Sequence, residues 1–287
     1  MGRLEGKIAI VTGAGCVGPG WGNGRAMAVR FVEEGARVLA ADRDPARLAE
    51  TLERAAQIIA KARSPEGGRS NSDSHAGLAA ADVMVAHQCD ATDSAQVKTM
   101  IDAAVKQFGR VDILVNNIGG SAAGGPVEMA EEVWDAQIDF NLKSVFLGCK
   151  HVLPLMEGQG SGVIINVAST SGLRWTGAAQ VAYAATKAAV MQLTRVVAVQ
   201  YAPRGIRVNC VVPGQLHTPM VETRLAKQRT GGDVEALLAS RRKRIPLGFM
   251  GDGRDTANAA LFLASDEAKF ITGTEIIVDG GMTARCD

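Results

Sequence analysis

Tyr183 and Lys187 stand four residues apart in a stretch, 182–201, whose pattern predicts a helix, so their side chains share one face. A phenol titrates near 10, and acid–base work near neutrality needs that lowered by roughly 3 units, about 4 kcal/mol of preference for phenolate. An ammonium beside it in a partly dry site favours the phenolate in this way. Ser169 follows the apolar run 164–168, at the carboxyl end of a predicted strand, where ligand chemistry is expected. Its hydroxyl is placed to donate to a substrate oxygen and turn it toward Tyr183. Thr170 and Ser171 are close enough to compete for that role. Together these residue types describe proton transfer at an alcohol or carbonyl oxygen.

A second constellation lies near the N-terminus. Gly13, Gly15 and Gly18 spell G-x-G-x-x-G, the dinucleotide fingerprint. In that fingerprint the last glycine opens a helix whose amide groups hold the pyrophosphate. Here Pro19, Gly20, Trp21 and Gly22 follow, which make a poor first turn. Helix-forming sequence begins at Arg25, so the register Gly13 followed by Gly22-x-Gly24 fits better. Asp42 ends the second predicted strand, near the roughly 20-residue distance expected of a ribose-binding acid. A carboxylate there accepts from ribose hydroxyls and repels a 2′-phosphate, which predicts NAD rather than NADP. Arg43, directly after it, is the feature that would favour NADP.

The elements that must position these groups alternate along the chain. Short apolar runs at 8–11, 37–41, 83–88, 113–115, 163–167, 207–211 and 275–278 read as parallel strands buried on both faces. Amphipathic stretches at 24–34, 96–108, 131–153, 182–201 and 255–263 read as the helices between them. The expectation is one α/β domain over residues 1–287, a Rossmann-like doubly wound parallel sheet of about seven strands with helices on both faces. Two segments interrupt the rhythm: a polar, Gly-rich loop at 64–80, and a long insertion at 215–250 that reads as a lid over the site.

Bulk properties narrow the function classes. The net charge is +1, so no global field draws the chain to nucleic acid or membrane. The basic run Arg241-Arg242-Lys243-Arg244 reads as a solvated helix face. The five cysteines are scattered, with no Cys/His cluster at metal spacing, so no metal is expected. No leader segment or membrane span is predicted, and the expectation is a cytoplasmic protein.

The motifs taken in order resemble those of the short-chain dehydrogenase/reductases. They are Thr12-Gly13…Gly22-x-Gly24, Asn116-Asn117-x-Gly119, Asn141, Ser169, Tyr183-x-x-x-Lys187 and Pro213-Gly214-x-x-x-Thr218. The resemblance implies that Tyr183 is the general acid or base, that Lys187 lowers its pKa and holds the nicotinamide ribose, and that Ser169 orients the substrate. It implies a water-positioning Asn141 in a proton relay. For the cofactor it implies Gly13, Gly22 and Asn23 at the phosphates, Asp90 at the adenine and Asn116 and Gly119 on the adenosine-ribose side. Val212, Pro213 and Thr218 would hold the nicotinamide end. The chain departs from the family pattern in a glycine loop five residues longer than usual, in Ile118, and in the spacing of Ser169 from Tyr183.

The substrate pocket is expected between Gly120-Ser121, Arg174-Trp175 with Gln180, and the segment from Gln215 onward. The predicted activity is NAD-dependent interconversion of a secondary alcohol and a ketone on a small molecule. The alternatives are an NADPH-dependent 3-oxoacyl-carrier-protein reductase and a non-catalytic dinucleotide-binding regulatory protein. The helical stretches around 141–153 and 184–200 are apolar over more than one stripe, which with the family habit predicts a homotetramer.

Overall fold

Every expected strand is present in one sheet, in the order β3-β2-β1-β4-β5-β6-β7. The computed structural model describes residues 2–62, 75 and 77–286. The strands are β1 (Ile8–Thr12), β2 (Arg37–Asp42), β3 (Met84–Gln88), β4 (Ile113–Asn116), β5 (Gly162–Val167), β6 (Ile206–Pro213) and β7 (Glu275–Val278). All six pairings are parallel. The strand order reverses between β1 and β4, and the crevice at their carboxyl ends is where such sheets bind ligands.

The helices are α1 (Asn23–Glu33), α2 (Ala49–Ala62), α3 (Ala80–Val83), α4 (Ser94–Phe108), α5 (Glu131–Ile138), α6 (Ser144–Gln159), α7 (Val181–Tyr201), α8 (Ala226–Thr230), α9 (Val234–Arg242) and α10 (Gly253–Ala264). Alternate strand residues feed two cores. Ala9, Val11, Val38 and Val115 pack against α1, α2 and α10. Ile10, Leu39, Leu114 and Ile164 pack against α4, α6 and α7 on the other face. Continuous apolar strands are the consequence of being covered on both sides.

Several boundaries differ from expectation. Val83 closes the single turn α3, and β3 starts at Met84. The stretch expected as one helix over 131–153 is two helices joined by a π-type turn, Asp139–Lys143, which carries Asn141. Most of the expected 64–80 loop lies outside the described residues; of its described part, His75 is buried and Ala80 is already helical. The 215–250 segment holds a π-type turn (Val221–Leu225), α8 and α9 around its own small core of Val221, Ala226 and Leu237.

Candidate active site

At the mouth of the switch point the backbone itself decides between the two glycine registers. Gly13 adopts a φ of +62°, and a Cβ on Gly24 would lie 1.9 Å from the Gly13 carbonyl oxygen. α1 starts at Asn23, and the Gly22 carbonyl accepts from Ala26 at 2.9 Å. The helix terminus is therefore at Gly22-Asn23-Gly24, and Gly18 belongs to the loop before it.

That enlarged loop is organised from inside by Arg25, which is only 2% exposed. Its guanidinium donates to the carbonyls of Gly18 (3.2 Å) and Gly20 (2.7 Å) and to Thr51 Oγ1 (3.1 Å). It also pairs with Glu50 at 2.6 Å, while Gly20 N donates to the other Glu50 oxygen at 3.3 Å. Trp21 lies under the Arg54 guanidinium, 4.2 Å from the ring centre. The insertion is thus a packed structure around one buried cation. Next to it, Asn23 Oδ1 is buried without a hydrogen-bond partner at the start of α1.

Asp42 ends β2 at the edge of the cleft. Its carboxylate accepts from Gly15 N (3.2 Å) and Asp44 N (3.1 Å). Asp44, not Asp42, caps the following helical turn, by accepting from Ala46 N at 3.1 Å. Arg43 and Arg47 line the same end of the cleft, with Cys89 and Ala91. Asp90 does not line it: its carboxylate turns back to Thr92 N and Oγ1, at 2.9 and 2.7 Å. The Asn116 side chain also faces away. It donates to Asn166 Oδ1 at 2.9 Å, and a Cβ on Gly148 would meet it at 2.2 Å. Asn117 is the one that lines the cleft, and its amide donates to the carbonyls of Thr12 (3.3 Å) and Gly13 (3.1 Å).

At the far end β5 and α7 bring Ser169, Tyr183 and Lys187 to one wall. Lys187 is 2% exposed, and its ammonium donates to the Val167 carbonyl at 2.8 Å. It makes no ion pair among the described residues. Burial pushes its pKa down to about 8. The nitrogen is 5.7 Å from the centre of the Tyr183 ring. Ser169 has extended backbone, and its oxygen accepts from Ser171 N at 3.2 Å, a bond that does not use the serine proton. Ser171 instead bonds Thr176 (3.1 Å) and Gln180 (2.7 Å), and Thr170 is buried.

Asn141 lies behind this wall and does not line the cleft. It accepts from Gly120 N (2.9 Å) and donates to Gly120 O and Gln137 Oε1 (both 3.2 Å), which ties the loop after β4 to the π-type turn. Gly119 fills the gap between them. A Cβ there would lie 2.7 Å from Lys187 Nζ and 3.1 Å from Asn141 Oδ1.

Pro213, Gly214 and Thr218 line the cleft after β6, but Val212 is buried in the sheet core. Of the expected substrate residues, Gly120, Ser121, Gln180 and Gln215 line it. Arg174 and Trp175 do not. Arg174 is turned to the Arg285 carbonyl, and Trp175 is 73% exposed. The basic run is also not a simple solvated face: Arg241 is 6% exposed and lines the cleft, and Arg244 donates to the Thr176 carbonyl at 2.7 Å. Phe140, Thr176, Met220, Val221 and Arg224 complete the wall. Met220, Val221 and Arg224 fall in the segment expected as a lid, and no sequence pattern marked Phe140 or Thr176.

The residues present fit a dinucleotide, since a glycine cradle, the N-terminus of α1 and a buried strand-end carboxylate line one cleft. Comparison with known proteins agrees. A family profile described as enoyl-(acyl carrier protein) reductase matches residues 56–283. The structure of a protein described as a short-chain dehydrogenase/reductase from Burkholderia xenovorans is 58% identical, covers 100% of both chains and superposes with a TM-score of 0.89. A 2,5-dichloro-2,5-cyclohexadiene-1,4-diol dehydrogenase from Sphingobium indicum is 37% identical over 97% of each chain. A 3-oxoacyl-carrier-protein reductase from Thermotoga maritima is 38% identical over 98% of this chain and 99% of its own. Sheet order, cleft and relatives agree: the chain belongs to the short-chain dehydrogenase/reductase family and is an oxidoreductase acting on CH–OH groups.

Proposed function

We propose that the protein is an NAD-dependent dehydrogenase that interconverts a small secondary alcohol and its ketone, with Tyr183 as general acid and base. The observation that carries this reading is the single cleft with Asp42 at one end and Ser169, Tyr183 and Lys187 at the other. The nicotinamide, when bound, accepts the hydride in oxidation and returns it in reduction. Gly13, Gly22, Asn23 and Asp42 would hold the adenosine and phosphate half, and Gly119, Lys187, Pro213 and Thr218 the other.

In oxidation the Ser169 hydroxyl donates to the carbinol oxygen, and Tyr183 takes the proton from that oxygen as the C–H electrons leave as hydride. In reduction Tyr183 gives the proton to the carbonyl oxygen. The Lys187 ammonium, with no ion-pair partner among the described residues, favours the phenolate form of its neighbour. Asn141 acts from behind by holding the Gly120 backbone. The helical 215–250 segment, which supplies Met220, Val221, Arg224 and Arg241 to the wall, acts as the lid.

The test is Tyr183→Phe, expected to abolish turnover of secondary alcohols while NADH still binds; near-normal activity in that variant would refute the assignment. Arg242 and Lys243 are exposed, so a carrier protein has a basic edge to meet, but Asp42 disfavours the NADPH this second reading needs. Five free cysteines suit a reducing compartment such as the cytoplasm. Exposed Phe146 on α6 and Val196 and Val199 on α7 suit a tetramer packed through those helices.

A further inference from the structure

Gln215 is 5% exposed, follows Pro213-Gly214 directly and lines the cleft. Its Nε2 donates to the Thr176 carbonyl at 3.2 Å. A carbonyl oxygen only accepts, so this bond settles which end of the amide is nitrogen. The other end, Oε1, is then an acceptor, and it is buried with no hydrogen-bond partner. A buried acceptor left without a donor is costly, and its persistence in a ligand cleft points to a donor that arrives with the ligand.

The surroundings define what that donor is. Gln180, Ser171 and Thr176 are linked to one another, with Gln180 Nε2 donating to Ser171 Oγ at 2.7 Å and to Thr176 Oγ1 at 3.3 Å. These groups hold one another and form a polar wall of the same cleft that Ser169 and Tyr183 line. The oxygen that reacts is already served by Ser169 and Tyr183, so Gln215 Oε1 requires a second polar group. Ketone, ester, ether and carboxylate oxygens cannot donate to it, and a carboxylate would be repelled by the amide oxygen. An O–H can.

We infer that Gln215 Oε1 accepts a hydrogen bond from a second hydroxyl on the substrate, so that the enzyme acts on diols or polyols in preference to simple alcohols. The inference rests on the alcohol-oxidoreductase reading above and narrows its substrate class. The same acceptor could be met by the amino group of the nicotinamide carboxamide, and the experiment separates the two sources.

The experiment compares NAD reduction with cyclohexanol and with 1,2-, 1,3- and 1,4-cyclohexanediols, in the full chain and in Gln215→Met. The expected kcat/KM for the best diol is at least tenfold above that for cyclohexanol in the unaltered protein, and the ratio falls to near one in Gln215→Met. A ratio near one in the unaltered protein overturns the inference and leaves the oxidoreductase reading standing. A ratio unmoved by Gln215→Met, with NADH binding weakened tenfold or more, overturns it in favour of the carboxamide. Silence on every alcohol overturns both. If Gln215→Met fails to fold, the ratio in the unaltered protein decides, together with diol binding to the Tyr183→Phe–NADH complex read by NADH fluorescence. Binding of the diol no tighter than that of cyclohexanol there overturns the inference.

Discussion

The Lys187 ammonium sits 2.8 Å from the Val167 carbonyl oxygen, inside the protein and without an acidic partner among the described residues. The charge is therefore held at a cost to folding. A pKa displaced from 10.5 to about 8 corresponds to about 3 kcal/mol of preference for the neutral amine. Lys187→Met should abolish turnover yet stabilise the cofactor-free protein by about 2 kcal/mol, after allowing about 1 kcal/mol for the lost hydrogen bond. Below pH 8 both folded and unfolded lysine are charged and the cost is fully present. Between pH 8 and 10.5 the folded chain is neutral while the unfolded chain keeps its proton, so the cost fades. Thermal melts at pH 7 and pH 10.5 check this: the Tm advantage of the variant should be large at the first and nearly gone at the second.

Arg25 and Glu50 make the corresponding prediction for the glycine loop. Partial burial pushes the Glu50 carboxyl up. The hydrogen bonds from Arg54 and Gly20 and the charges of Arg25 and Arg54 outweigh this and hold it below the usual range. Its contribution is thus present above the ordinary glutamate pKa and lost as pH falls through the folded value. Arg25→Met leaves the Gly18 and Gly20 carbonyls without their donor. The expected cost is about 2 kcal/mol of stability, below the roughly 3–5 kcal/mol of a fully buried pair, because Glu50 is partly exposed and keeps Arg54. NADH should also bind at least tenfold more weakly by fluorescence titration. Lost stability with unchanged NADH affinity would mean that the loop needs no such scaffold to hold phosphate.

These two pairs show what was legible in the sequence and what was not. The seven strands were readable because burial on both faces writes itself as continuous apolar runs. Tyr183, Lys187 and Ser169 were readable because spacing and strand ends are local properties. Arg25 was passed over because its partner lies on α2, whose position beside the loop is a tertiary fact. Asn116 and Asn117 are chemically identical neighbours, and only the last register of β4 decides that Asn116 turns inward to Asn166 and Asn117 outward to the cleft. Arg241 looked like one of four solvated bases, until folding of the 215–250 segment turned it toward the cleft. The π-type turn at Asn141 left no mark on the apolar periodicity that crosses it.

Asp42 bears on cofactor choice. Gly15 N and Asp44 N already hold its carboxylate in place, so its charge is presented to the cleft at a defined point. Asp42→Ala removes that charge and leaves Arg43 and Arg47 lining the same end. The ratio of NADPH to NADH affinity should rise by tenfold or more, read by paired fluorescence titrations. A ratio that stays put, or an unaltered protein that already binds NADPH more tightly, would remove the basis for choosing NAD.

Gly119 tests whether the catalytic wall depends on the position of the Lys187 nitrogen. A methyl group there would lie 2.7 Å from Lys187 Nζ and 3.1 Å from Asn141 Oδ1, both tighter than ordinary van der Waals contact. Asn141 is tied to Gly120 and Gln137, so the flexible end of Lys187 is what must yield, and its bond to Val167 stretches or breaks. Gly119→Ala should therefore lower kcat by about tenfold to a hundredfold, corresponding to about 1.4–2.7 kcal/mol of barrier. The pH profile of kcat should move up as the phenolate loses its neighbouring charge. If Gly119 serves only to let the chain turn, kcat and its pH profile will both be unchanged once the variant is folded. A fall in kcat with an unmoved pH profile would place the damage in substrate alignment rather than in the Tyr183–Lys187 pair.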